Sequence, residues 1–152
     1  MTSALDMATR LIMQLEGFSP SPMPDTGTRW QIGYGCNFLP DGSAVTAYTP
    51  DVTLEQAGAM LEAMLAPLDA KIRTMVTAPM IDCEEAALCS FAWNEGVAAL
   101  RGSHLLLFFN DGKVQEAADQ FDAWVYAEGV INRGLKTRRA LERSVFLGLV
   151  VP

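Results

Sequence analysis

The sequence is poor in the features that mark several protein classes. It has one histidine, His104, and three cysteines, Cys36, Cys83 and Cys89, with no Cys-x-x-Cys pair. That inventory argues against a zinc site, which draws on clustered Cys and His. Lys and Arg number 11 against 18 Asp and Glu, a formal charge of −7. A general nucleic-acid binder needs the opposite balance, so no nucleic-acid partner is expected. The longest apolar stretches, such as Leu105–Phe109, fall far short of the ~20 residues of a membrane span. The opening Met1–Asp6 has no basic or apolar region, which predicts no secretory signal. With an odd cysteine count, this predicts free thiols in a reducing cytoplasm. If Cys83 and Cys89 share a helix, their ~9 Å rise is too long for a disulfide.

What is present is apolar residue. Half the chain is hydrophobic and 19% is charged, which excludes intrinsic disorder. At this length one domain over residues 1–152 is expected, burying about 68–70% of the unfolded surface. Leu5, Ala8, Leu11, Ile12 and Leu15 recur at helical spacing, so residues 4–15 read as an amphipathic helix. Residues 19–27 hold three prolines and a glycine and read as a loop. Arg29–Gly35 alternates and is aromatic, which suits a strand. Asp41-Gly42 reads as a hairpin turn, with Ala44–Tyr48 as the returning strand. Thr53-Leu54-Glu55-Gln56 resembles a capping box opening a helix to Val76, which Pro67 should kink or break. Asp82 is expected to cap a buried central helix from Cys83 to Asn94. Ser103 is expected to cap a helix through Phe109, and Val114–Phe121 and Leu135–Leu147 complete the helices. The class is α+β: a small lobe of residues 16–52 with a short antiparallel sheet, and a larger helical part from 1–15 and 53–152.

The informative constellation is Glu16, at the end of an apolar helix, Asp25 nine positions on, and Gln31 inside Trp30-Gln31-Ile32-Gly33-Tyr34-Gly35. Two carboxyls so placed suit glycoside hydrolysis. One gives its proton to the leaving oxygen while the other, ionised, activates water or stabilises positive charge. Spacing alone favours two solvated acids. The segment Leu15-Glu16-Gly17-Phe18, Asp25 and Ile32-Gly33-Tyr34-Gly35, however, resembles the signature of phage-type lysozymes, the endolysins of glycoside hydrolase family 24. Ser90-Phe91-Ala92-Trp93-Asn94-Glu95-Gly96, Gly102-Ser103-His104-Leu105-Leu106 with Asn110-Asp111-Gly112, Trp124–Ala127, and Gly134-Leu135 with Arg138-Arg139 and Glu142 match further blocks of that family in order.

The resemblance implies a lysozyme-like fold and cleavage, with inversion, of the β-1,4 link between N-acetylmuramic acid and N-acetylglucosamine in peptidoglycan. It implies Glu16 as general acid, Asp25 as its carboxylate partner, and no cofactor. Glu16 is expected to be partly desolvated at the foot of its helix. Two positions depart from the family. Gln31 stands where a threonine helps to hold the attacking water; its carboxamide either binds that water or takes its place. Cys36 stands where the family usually has histidine and reads either as a small buried hydrophobe or as a reactive thiol.

The substrate-binding candidates are Asn37, Asn94, Gly96 and Ser103. Asn94 and Gly96 either line the cleft or form a helix C-cap. Trp30 and Trp93 either stack on sugars or belong to the core. Arg138 either supports Glu16 across the lobes or is a surface arginine. The basic run from Arg133 to Arg143 reads as a solvated helix face, and His104 as a surface residue near a helix start. The implied protein is a monomeric endolysin held in the host cytoplasm before it reaches the wall. Its partner is the glycan strand, and it has no membrane span. The rival reading is a lysozyme-fold module that binds glycan or a protein with little or no hydrolysis.

Overall fold

The computed structural model describes residues 2–152. Helix α1 runs Ala4–Glu16, and Ser3 and Asp6 form a reciprocal capping box at its start. Ala4, Ala8, Leu11 and Ile12 form its buried face. The next segment is a strand rather than the expected loop: β1, Ser19–Pro24, pairs antiparallel with β2, Trp30–Gly33, in the register Met23↔Gln31 and Pro24↔Trp30. Three prolines are tolerated because β1 is an edge strand, and an edge does not need every N–H. The outward Pro20 carbonyl accepts from the Val52 N–H at 2.8 Å. The returning strand expected at Ala44–Tyr48 does not form; Phe38 and Ala44 make only an isolated bridge. The chain does reverse at Asp41-Gly42, where the Leu39 N–H donates to the Ser43 carbonyl at 2.8 Å and the Val45 N–H to the Asn37 carbonyl at 2.9 Å.

Helix α2, Leu54–Met75, starts at the expected capping box of Thr53 and Gln56. It runs through Pro67 unbroken. Proline there removes one backbone donor, but the apolar face of Ala57, Met60, Leu61, Leu65 and Ile72 is buried on both sides of it. Gly33 adopts φ +66°, and a Cβ there would lie 2.9 Å from that of Ala57. Glycine thus lets the end of β2 press against α2.

Helix α3, Asp82–Glu95, is the buried centre of the molecule, and α1, α2 and the last helix pack against it. Its N-cap is Ile81, not Asp82, and the Glu84 carboxylate accepts from the Ile81 N–H. Short helices follow: α4 (Val97–Arg101), α5 (His104–Asn110, capped by Ser103) and α6 (Val114–Gln120). A hairpin that the sequence reading lacked pairs β3, Tyr126–Ala127, with β4, Val130–Ile131. Glu128 (φ 52°) and Gly129 (φ 78°) are its left-handed turn residues, the primed-turn pattern that matches strand twist. Helix α7, Arg133–Phe146, closes the fold with Asn132 as N-cap. Its basic run is a solvated face only in part: Arg133 and Lys136 are exposed, whereas Arg138 is 6% exposed and Arg139 is fully buried. No described helix is long and apolar enough to cross a membrane.

Candidate active site

Glu16 is the last residue of α1, so the helix fixes its backbone while its side chain leaves the apolar face. That side chain is 25% exposed, and the Arg138 guanidinium lies 2.6 Å from its Oε1. Asp25 follows β1 directly. Its N–H donates to the Arg29 carbonyl at 2.9 Å, and its Oδ1 accepts the Gly27 N–H at 2.7 Å. This Asx turn sets the carboxylate on a short β1–β2 connection. Gln31 sits on β2. Gly35 (φ +84°) lets the chain turn between them: a Cβ there would meet Glu16 Oε2 at 3.5 Å and Gln31 Oε1 at 3.8 Å.

Glu16, Asp25, Thr26, Gln31, Asn37 and Asn94 line a single cleft of about 410 Å³, together with Phe38, Met64 and Trp93. A second groove of about 860 Å³, between the end of α1 and the start of α7, shares Thr26 and Asn94 with it. Arg138 lines that second groove. Asn37 is held by donating from Nδ2 to the Trp30 carbonyl at 3.0 Å. Trp30 and Trp93 are both half-buried and pack against the core; Trp93 also lines the cleft, and Trp30 borders a neighbouring pocket with Asn37 and Phe38. Two candidates lie elsewhere. Gly96 is the C-cap of α3 with φ 96°, outside the residues that line the cleft. Ser103 is buried at the head of α5, where its hydroxyl accepts from Leu106 N–H and donates to the Leu100 carbonyl. Its neighbours Gly102, His104 and Trp124 border a different pocket. His104 itself is exposed at the first turn of α5.

Cys36 is fully buried, and burial pushes its thiol up to about 11, with the Glu16 charge adding to the shift. A thiol held neutral in this way is a packing residue, not the reactive group that was the other reading. Cys83 and Cys89 are also free.

Behind the cleft lies an ionic cluster that the sequence did not disclose. Arg138 Nε is 3.2 Å from Glu142 Oε1, and Arg139 Nε is 3.0 Å from Glu142 Oε2. Arg139 also reaches Glu95 Oε1 at 3.3 Å, donates to the Asn94 side-chain oxygen, and stacks over the Phe91 ring at 5.0 Å. The Ser90 hydroxyl donates to Glu142 Oε1 at 2.6 Å. The only hint in the sequence was the Arg138-Arg139…Glu142 spacing, which puts all three on adjacent turns of one helix. Their burial follows from α3, which sequence spacing does not place. Thr26, Phe38 and Met64 were also missed; only Thr26 carried a signal, its position next to Asp25.

The Phage lysozyme family model matches residues 13–142. The endolysin of Bacillus phage PZA is 33% identical over 138 residues, which cover 88% of this chain and 49% of that protein. A SAR-endolysin of Enterobacteria phage PA-2 is 32% identical over 133 residues, 88% of this chain and 78% of that protein. The solved endolysin from Escherichia coli O157:H7 phage FAHEc1 superposes with a TM-score of 0.87 at 28% identity, covering 96% of this chain and 94% of that one. The chain spans about half the length of the Bacillus phage relative.

Proposed function

We propose that this chain, which belongs to the phage lysozyme family, hydrolyses the β-1,4 bond between N-acetylmuramic acid and N-acetylglucosamine in peptidoglycan, with inversion. The observation that carries the reading is the single cleft that gathers Glu16, Asp25 and Gln31 from α1, the β1–β2 connection and β2. In this role Glu16 protonates the leaving oxygen. Asp25 removes a proton from the water that attacks the opposite face of the sugar. Gln31 acts on that water, and Asn37 and Asn94 supply hydrogen bonds to the sugar's hydroxyl and acetamido groups. Arg138 keeps the Glu16 side chain in place. We assign the protein to host lysis, acting as a monomer on the wall after release from the host cytoplasm.

A second reading draws on Gln31 itself. Its amide oxygen borders Gly35 on the side that Glu16 also borders. A carboxamide occupying the water's place would give a module that holds glycan and turns over slowly. Release of reducing ends from purified peptidoglycan distinguishes the two. Hydrolysis that falls by about 10²–10⁴-fold in Glu16→Gln, the range for a lost general acid, supports the enzyme. Co-sedimentation with peptidoglycan and no new reducing ends supports the binding module and defeats the hydrolase reading.

A further inference from the structure

The ionic cluster behind the cleft carries an inference that rests on the hydrolase reading. Arg138 serves two carboxylates at once: Glu16 at 2.6 Å from Nη1 and Glu142 at 3.2 Å from Nε. Its Nη2 points to the Ser90 carbonyl at 3.4 Å. Arg138 is only 6% exposed, and Glu142 is fully buried. A buried guanidinium without an anion is strongly unfavourable. A general acid, however, must spend part of each cycle neutral. If Glu16 were the sole anion beside Arg138, each protonation of Glu16 would strand that guanidinium. The pairing would then hold Glu16 in the charged state, which cannot donate.

We propose that Glu142 is a positioning residue for Glu16, the standing counter-ion of Arg138 that lets Glu16 gain and lose its proton without leaving a buried charge unpaired. Glu142 is suited to this because it never faces solvent and is fixed from two elements. The Ser90 hydroxyl donates to it from α3, and Arg138 and Arg139 flank it on α7. Burial raises its proton affinity, and Arg139, the Ser90 hydrogen bond and Arg138 oppose that rise. Among the described residues, Arg138 and Arg139 are the charged groups set against it. Glu95 and Asn94 engage the far side of Arg139. Arg143 turns to Asp119 of α6. The Cys83 thiol meets the Phe146 carbonyl. Around Glu16 itself stand Arg138 and, from the small lobe, Cys36 and Gln31.

The test follows the Glu16 side-chain carboxyl by carbon NMR across pH in the intact chain. In Glu142→Gln, which keeps the shape and loses the charge, the Glu16 midpoint is expected to fall by at least about half a pH unit, roughly threefold weaker proton binding. The alkaline limb of the kcat profile should move down with it while KM changes little. Glu142→Asp, which keeps the charge, should restore part of the shift. A midpoint that stays or rises in Glu142→Gln overturns the proposal. Should Glu142→Gln fail to fold, Glu142→Asp carries the test alone: its carboxylate is one methylene shorter and stands farther from Arg138, so the Glu16 midpoint should fall by a smaller amount, and no fall overturns the proposal. A wild type that releases no reducing ends defeats the hydrolase reading alone, because the carboxyl titration still decides the role of Glu142.

Discussion

On the proposed reading, Gln31 bears on turnover through the attacking water. Water attacking in an inverting reaction must stand on the face of the sugar away from Glu16, beside Asp25. Gln31 lines the cleft with both carboxylates, and its amide reaches further than a threonine hydroxyl would. If the amide fills the water's place, Gln31→Thr raises kcat by up to about 10²-fold with little change in KM, the mark of an effect confined to the transition state. If it holds the water, Gln31→Ala lowers kcat and Gln31→Thr does not raise it. Steady-state kinetics giving the same kcat for all three chains would remove Gln31 from the mechanism. At this scale the sequence was informative where residues sit close along the chain: Glu16, Asp25 and Gln31 fall within sixteen positions. At Ser103 it offered a helix cap and a sugar contact, and the hydrogen bonds at the head of α5 bear out the cap. It said nothing of Arg139 or Glu142 as buried groups, because charge alone suggests a solvated face.

Helices α2 and α3 hold a second pair of acids, Asp69 and Glu85, outside the residues that line the cleft. Arg73 Nε lies 3.1 Å from Asp69 Oδ2 and 2.6 Å from Glu85 Oε1, and the Cys89 thiol donates to Asp69 Oδ1 at 3.4 Å. Burial pushes Glu85 up from its ordinary 4.5 to about 7, and the hydrogen bond and charge of Asp69 add to the rise. The folded chain therefore binds this proton more tightly than the unfolded chain. The resulting stability is complete below pH 4.5 and is lost as pH rises towards 7. On the order of 1–3 kcal/mol is at stake. Thermal melts should show this decline between those values in the wild type and a flatter profile in Glu85→Gln, which mimics the protonated acid. An equally steep profile in Glu85→Gln would show that the slope comes from other groups. The helices themselves were legible through apolar spacing and the Thr53–Gln56 box, because those signals are local. β1 was not, because proline reads as a breaker unless the strand is known to be an edge. The hairpin at Tyr126–Ile131 was missed because two-residue strands have no periodicity to detect.

At the scale of the whole molecule, function depends on a meeting that sequence order hides. The end of α1, the small β1–β2 sheet and the end of α3 meet at the cleft, the start of α7 lines the adjoining groove, and the Arg138–Glu16 contact spans 122 positions. Family resemblance conveyed that convergence; composition and periodicity gave only an α+β class with a central apolar helix. The net charge of −7 did not disclose it either, because the positive groups that matter are buried behind the site. The central claim, acid catalysis by Glu16 with Asp25 activating water from the opposite face, fixes the stereochemistry of the product. Proton NMR of a fresh peptidoglycan digest reads that stereochemistry before mutarotation erases it. New reducing ends should appear first as the α-anomer with the wild type, and should be nearly absent with Glu16→Gln. A β-anomer appearing first, or equal release by the Glu16→Gln chain, would contradict the account.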